Sequence, residues 1–260
     1  MNWWQALILG LVQGLTEFLP VSSSGHLVIF RELLGAEAPQ DLVFEVTVHV
    51  ATALATIVIF RKQIIDLLQG LFKFKYNQQT DFILKLVVSM IPVAIVGFFF
   101  KDKVEALFSS LIVVGCALLV TAALLFFSDK AKKSGSDVTY GQALIMGLGQ
   151  AFAVIPGLSR SGTTISAGLL SGASRSKVAE FSFLMVLVPI LGEAFLDLVS
   201  GDAAASSIGT LPLAIGFIAA FISGLFACKA MIALVKKAGL KWFALYCAIV
   251  GIIVIICSLV

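Results

Sequence analysis

The sequence carries little charge. Only 13% of its 260 residues are Asp, Glu, Lys or Arg, while 60% are hydrophobic. An ordinary soluble domain has about 25% charged residues, so this composition argues against a water-soluble globular fold. The net charge is only +3, and the basic residues lie in short stretches between apolar runs. That distribution argues against an extended basic surface, so no nucleic-acid partner is expected.

Cysteine and histidine are also scarce. The four cysteines lie inside apolar segments without paired spacing, so membrane packing is expected of them rather than disulfide or metal chemistry. The first ten residues contain no lysine or arginine, and no small-residue cleavage site follows them. We therefore expect no removable signal peptide.

Long apolar runs dominate the rest of the chain. A helix needs about 20 apolar residues to cross ~30 Å of hydrocarbon. Six segments are long enough: 42–60, 82–100, 109–128, 177–199, 211–234 and 242–260. The sequence predicts an all-α polytopic membrane protein that forms one transmembrane domain over residues 1–260.

The chain contains an internal repeat. The stretch QALILGLVQGLTEFLPVSSSGH at 5–26 returns as QALIMGLGQAFAVIPGLSRSGT at 142–163. Pro20 and Pro156 interrupt the two copies, and a proline ends or kinks a helix. Broken helices persist in a bilayer only beside a cavity or buried in protein. Their duplication indicates a binding site near the bilayer midplane.

Each broken stretch predicts a re-entrant helical hairpin. The pieces of 3–34 and of 138–172 are each shorter than a span. The repeating unit is then one hairpin plus three spans, at about 1–128 and 138–260. Three crossings per unit are an odd number, so the second copy is expected to be inverted, giving six full spans plus two re-entrant hairpins.

Most basic loop residues fall on one side of this topology, which the positive-inside rule places in the cytoplasm. They are Arg61, Lys62, Lys73, Lys75, Lys130, Lys132, Lys133, Arg175, Lys177, Lys236, Lys237 and Lys241. Both termini then face outward. The hairpins enter from opposite sides, and their serine-rich tips are expected to meet in the interior.

Polar residues converge at the two predicted tips. Glu17 lies in the first copy and Arg160 in the second. Serines that follow a proline break are suited to cap the restarting helices, which directs free N–H groups at the centre. Arg160 adds a charged fork that matches phosphate oxygens. The sequence predicts an anion site for phosphate or pyrophosphate. The candidate phosphate-binding residues are Gln13, Ser22, Gly25, Ser159, Ser161 and Thr164.

These motifs resemble those of the undecaprenyl pyrophosphate phosphatases of the bacitracin-resistance type. The family marks are Glu/Gln-x-x-x-Glu leading into Pro-x-Ser-Ser-x-Gly-His, and a later Pro-Gly-x-Ser-Arg-Ser-x-x-Thr. The chain carries them from Gln13 to His26 and from Pro156 to Thr164. The resemblance is nearly chain-long. It implies a hydrolase of the bacterial inner membrane, open to the periplasm, that removes one phosphate from undecaprenyl pyrophosphate, recycles the cell-wall carrier lipid and confers bacitracin resistance.

Three routes of phosphoryl transfer are open from the sequence. The nucleophile could be Ser23 activated by His26 or Glu17, His26 oriented by Glu17, or a water molecule that the same pair activates. Arg160 would stabilise charge on the equatorial oxygens. The expected catalytic residues are therefore Glu17, Ser23, His26 and Arg160. Glu17 could also share a divalent cation, Mg²⁺ or Ca²⁺, with the pyrophosphate oxygens, and no organic cofactor is expected.

A transporter is the competing hypothesis. Inverted repeats with re-entrant hairpins are also a carrier architecture, and the same anion site could move a polyprenyl phosphate lipid. Asymmetry between the copies favours the enzyme. Glu17 and His26 occur only in the first copy, where the second has Val154 and Thr163, while Arg160 occurs only in the second.

The polar candidates also have structural interpretations. Glu17 could extend to the membrane interface, His26 could be structural, and the serines could do no more than cap helices. Glu45 and His49, one turn apart, could be interfacial or could line an entrance for a charged headgroup. Expected partners are the polyprenyl pyrophosphate lipid and membrane lipids. A homodimer is left open.

Overall fold

The computed structural model describes residues 1–36, 42–108, 110–131, 137–200, 208–237 and 239–259, and the secondary structure of these residues is helical. The helices are α1 (Trp3–Phe18), α2 (Ser23–Leu33), α3 (Leu42–Ile59), α4 (Arg61–Leu71), α5 (Gln78–Phe99), α6 (Lys101–Leu107), α7 (Leu111–Asp129), α8 (Tyr140–Phe152), α9 (Arg160–Leu170), α10 (Arg175–Met185), α11 (Leu187–Ser200), α12 (Thr210–Lys237) and α13 (Lys241–Leu259).

Four of the described helices are long and apolar enough to cross a bilayer: α5, α7, α12 and α13. A fifth span is counted if α3 and α4, which meet at a bend of 77°, form one broken span. The chain is therefore an all-α membrane protein. The full count of six crossings stays a prediction.

The predicted span 177–199 is divided in the structure. Helix α10 ends at Met185 and α11 begins at Leu187, with Val186 between them. Pro189 stands in the first turn of α11, and it has no N–H to donate to the carbonyl of Met185. The interruption thus lies beside a hydrogen bond that the helix cannot make.

The helices pair in a pattern that follows the sequence repeat. Helix α1 of the first copy packs against α12 of the second, and α8 of the second packs against α5 of the first. The last helices of the two copies, α7 and α13, pack against each other. Each hairpin is thus held by the other half of the chain.

Glycines allow the hairpins to approach these partners closely. A Cβ added to Gly10 or Gly14 would collide with the backbone of α12, and one added to Gly147 would collide with the Ser89 backbone of α5. Small residues at helix contacts let backbones pack together where no water is available to drive association. These contacts fix α1 and α8, and with them the residues at their ends.

Candidate active site

Both hairpins are broken where the prolines stand. The first break covers residues 19–22 and the second break covers residues 153–159. The Ser22 hydroxyl caps α2 by accepting from the Gly25 N–H at 3.2 Å, and the Ser159 hydroxyl caps α9 by accepting from the Gly162 N–H at 3.0 Å. The predicted serine caps are confirmed. Ser22 has φ +71°, an uncommon conformation for a residue with a side chain.

The two breaks touch each other. The Ser161 hydroxyl donates to the Leu19 carbonyl across 3.2 Å. Gly25 lies against Gly157, because a Cβ added to Gly25 would stand 2.9 Å from the Gly157 Cα. Gly157 itself has φ +91°, which a residue with a side chain rarely adopts. The contact brings the ends of α1, α2 and α9 to one place.

The Glu17 carboxylate is the centre of a buried polar cluster. Its Oε2 accepts from the Ser23 hydroxyl at 2.5 Å and from the Gln13 amide at 2.9 Å. The His49 Nε2 lies 3.7 Å from the same oxygen, and the Glu17 side chain is only 6% exposed. Because the His49 Nδ1 lies 2.8 Å from the Glu45 carbonyl, which can only accept, Nδ1 carries a hydrogen and Nε2 faces Glu17.

A cavity joins the acid of the first copy to the guanidinium of the second, because Glu17 and Arg160 both line it. Among the residues that the structure describes, no hydrogen bond or ion pair holds the Arg160 guanidinium. Arg160 brings a permanent positive charge to the lining of this cavity. The other polar residues of the lining are Thr52, Thr56, Gln150, Ser161, Thr164 and Ser182.

The remaining phosphate-binding candidates of the second copy support α9. The Thr164 hydroxyl donates to the Arg160 carbonyl at 2.8 Å and lies 2.7 Å from the Ser182 hydroxyl. The Ser159 N–H donates to the Thr121 hydroxyl at 3.0 Å. These bonds fix the first turn of α9, from which the Arg160 side chain extends.

The structure places His26 away from Glu17. Its Nδ1 lies 2.8 Å from the Ser22 carbonyl and its Nε2 lies 2.8 Å from the Tyr246 hydroxyl, while the two rings stack at 5.6 Å. Since the carbonyl can only accept, Nδ1 donates and the neutral ring accepts from Tyr246. Both nitrogens of His26 are thus engaged, and Ser23 is the candidate nucleophile that contacts Glu17.

Several polar residues at the site, His49 and Gln150 among them, are not among those that the sequence predicts there. The sequence indicates only an interfacial or entrance position for His49, because nothing in it shows that α3 lies beside the first break. Gln150 lines the cavity, and the repeat could have identified it, since it is the second-copy equivalent of Gln13.

The described side chains offer no all-protein metal cage. No group of three or more His, Cys, Asp or Glu side chains among the described residues could hold a metal ion. The Gln13 Oε1 is nevertheless buried without a hydrogen-bond partner, on the side chain whose amide contacts Glu17. An amide oxygen and a carboxylate fit a hard cation that completes its shell with phosphate oxygens.

Known proteins match almost the whole chain. Residues 6–253 match the family model described as Bacitracin resistance protein BacA. The chain is 56% identical over 263 residues to the undecaprenyl-diphosphatase of Bacteroides fragilis, with 99% of both chains covered. It is 55% identical over 264 residues to that of Parabacteroides distasonis, covering 100% of this chain and 99% of the relative. It is 38% identical over 262 residues to that of Carboxydothermus hydrogenoformans, covering 98% and 97%. The chain therefore belongs to the bacitracin resistance protein BacA family.

Proposed function

We propose that this protein is an undecaprenyl-diphosphatase, which hydrolyses undecaprenyl diphosphate to undecaprenyl phosphate and phosphate. The observation that carries the proposal is the cavity shared by the Glu17 carboxylate and the Arg160 guanidinium. A base and a fixed positive charge in one cavity are what phosphoryl transfer requires. The relatives' common name supplies the substrate. Removal of the diphosphate form of the lipid accounts for bacitracin resistance.

Ser23 is the nucleophile in the proposed mechanism, because its hydroxyl already donates to Glu17. The Oγ–phosphorus bond forms at the terminal phosphate while the bond from that phosphorus to the bridging oxygen breaks. Undecaprenyl phosphate leaves with the electron pair, and the Ser23 proton passes to Glu17. Arg160 stabilises the charge on the equatorial oxygens. Water then hydrolyses the phosphoserine and releases phosphate.

Glu17 and Gln13 are the residues proposed to hold a divalent cation, Mg²⁺ or Ca²⁺, together with the diphosphate. When bound, the cation would neutralise part of the charge on the phosphate oxygens. The proposed partners are the lipid substrate and the surrounding membrane lipids. The homodimer and the absence of nucleic-acid binding stay predictions.

The proposed topology is an inverted repeat in the bacterial inner membrane, with the site open to the periplasm. The reciprocal packing of α1 on α12 and of α8 on α5 supports two-fold related halves. The contact between the two breaks supports hairpins that enter from opposite sides and meet inside. Basic loops support the assignment of the cytoplasmic side.

Purified protein in detergent is expected to release phosphate from undecaprenyl diphosphate and from farnesyl diphosphate, a shorter polyprenyl substrate. Phosphate release is measured with Mg²⁺, with Ca²⁺ and with a chelator. Transport has no meaning in detergent, so this assay separates an enzyme from a carrier. Folded protein that releases no phosphate with any divalent cation would contradict the proposed function and favour the carrier.

Ser23→Ala is expected to lower turnover of farnesyl diphosphate by about 10³-fold or more, because the nucleophile is lost. Wild-type protein that is quenched during turnover should carry a phosphate on Ser23, which peptide mass spectrometry detects. Ser24→Ala is the matched control, since it removes a neighbouring hydroxyl that does not contact Glu17 among the described bonds. Near-normal turnover in Ser23→Ala would exclude the serine route.

A further inference from the structure

Each of the repeated stretches, 5–26 and 142–163, has two glutamines, and the first of each pair is structural. Gln5 accepts from the Asn2 N–H at 2.7 Å and donates to the Leu34 carbonyl at 3.1 Å. Gln142 accepts from the Thr139 N–H at 2.9 Å and donates to the Ser171 carbonyl at 2.9 Å. Each amide therefore links the start of its hairpin to the end of the same hairpin, and both its oxygen and its NH2 group are hydrogen-bonded.

The second glutamines differ from this pattern. Gln13 and Gln150 are each buried, at 0% and 1% exposure, and each has an Oε1 without a hydrogen-bond partner among the described residues. The Gln13 amide at least donates to Glu17. In the second copy Val154 stands where Glu17 would be, and the one hydrogen bond of the Gln150 amide within the described part of the chain goes to the Met90 sulfur at 3.8 Å.

Gln150 also lines the cavity that holds Glu17 and Arg160. A buried amide oxygen that accepts no hydrogen bond destabilises the fold unless a ligand or a water molecule supplies the donor. Sulfur is a weak acceptor, so the NH2 group of Gln150 is also only weakly hydrogen-bonded. A residue of this kind beside a reaction site is suited to a ligand that enters during turnover.

We propose that Gln150 binds the water molecule that hydrolysis consumes, with its Oε1 accepting a hydrogen bond from that water. Unlike Gln13, Gln150 has no carboxylate one turn away with which to share a cation, because Val154 stands there. The open atom is an acceptor, and an ionised phosphate offers only acceptors, so the diphosphate oxygens do not bond to it either. Water is a donor and is required whichever nucleophile acts first. Arg160 lines the same cavity but does not donate to this oxygen, which has no hydrogen-bond partner among the described residues.

The same bonds form and break on either route. The water oxygen forms a bond to phosphorus, and the bond from phosphorus to the leaving oxygen breaks. That leaving oxygen is the Ser23 Oγ in the serine route and the bridging oxygen in direct attack, and it keeps the electron pair. In the serine route, Glu17 returns the proton that it took from Ser23 to the Oγ, and one proton of the water passes to an oxygen of the released phosphate. In direct attack, that water proton passes to the Glu17 carboxylate. Gln150 holds the other hydrogen and so fixes the direction of attack.

This inference rests on the proposed function, and Gln150→Met tests it. Methionine has a similar length, favours helix and suits the contact with Met90. With farnesyl diphosphate, kcat is expected to fall by roughly 10 to 100-fold because the water is no longer oriented. KM, and the affinity for the non-hydrolysable methylenebisphosphonate analogue of farnesyl diphosphate, are expected to change by less than about threefold.

Gln142→Met is the matched control in the same helix. It removes the cap bonds and is expected to lower Tm, while kcat stays near the wild-type value. Gln150→Glu keeps an acceptor oxygen, so its kcat should exceed that of Gln150→Met, although the added charge raises KM. If the methionine variant does not fold, Gln150→Leu, which also removes the oxygen, takes its place with the same expected fall in kcat.

Two results would overturn the inference. A kcat for Gln150→Met near that of the wild type would mean that Gln150 holds no reacting group. A loss of analogue affinity as large as the loss in kcat/KM would place Gln150 on the diphosphate instead of on water. Wild-type protein without phosphate release would instead contradict the proposed function itself, so the two failures are distinguishable.

Discussion

An Arg160→Ala variant is expected to lose about 10³-fold in kcat/KM for farnesyl diphosphate, which corresponds to about 4 kcal/mol of transition-state stabilisation. The guanidinium lines the cavity beside Glu17, and no hydrogen bond or ion pair within the described part of the chain occupies it. Its removal leaves charge on the equatorial oxygens unopposed. Steady-state phosphate release measures the loss.

Two further variants make the Arg160 result specific. Arg160→Lys keeps the charge and loses the planar fork, so it should recover only part of the activity. Arg61→Ala removes an exposed arginine at the start of α4, and its kcat/KM should stay close to that of the wild type. Turnover within a few-fold of wild type in Arg160→Ala would remove the residue from the site.

Glu17→Gln is expected to reduce kcat by about 10³-fold, because an amide cannot take the proton of Ser23. The substitution keeps the size of the side chain, so the cluster of Gln13, Ser23 and His49 retains a partner of similar shape. The folded fraction, measured by size-exclusion chromatography and thermal unfolding, should stay near that of the wild type. The loss should therefore appear in turnover.

The exposed Glu32 of α2 supplies the control for Glu17. Glu32→Gln makes the same chemical change within the same hairpin, but on the surface, and its kcat should be unchanged. Glu17→Ala should be as inactive as Glu17→Gln and less stable, since it leaves the partners of the carboxylate unpaired in a buried place. An active Glu17→Gln variant would mean that another group takes the proton.

The sequence predicted the parts of the site that follow from local rules. Pro20 and Pro156 each precede a run of serines, a pattern in which the proline disrupts one helix and a serine caps the next, so both breaks and both caps could be located. The repeat then indicated that the breaks would meet, because related halves place equivalent segments at one centre. Glu17 and Arg160 followed as the charged residues of those segments.

The missed features depend on packing between distant helices. His49 comes to Glu17 from α3, and Tyr246 comes to His26 from α13. Neither spacing nor composition relates these residues. The interruption at Val186 was not predicted for a different reason. The run 177–199 is apolar and long enough to span, and this length outweighed Pro189 in the prediction. Gln150 is different, because its equivalence to Gln13 in the repeat is visible in the sequence.

A structure of the protein with the methylenebisphosphonate analogue of farnesyl diphosphate would show where the diphosphate binds. We expect the two phosphonates to lie between the first and second breaks, with Arg160 on their oxygens and the terminal phosphorus about 3–3.5 Å from the Ser23 Oγ. Phosphonates bound elsewhere, or an Arg160 guanidinium that does not contact them, would mean that the two breaks do not form the active site.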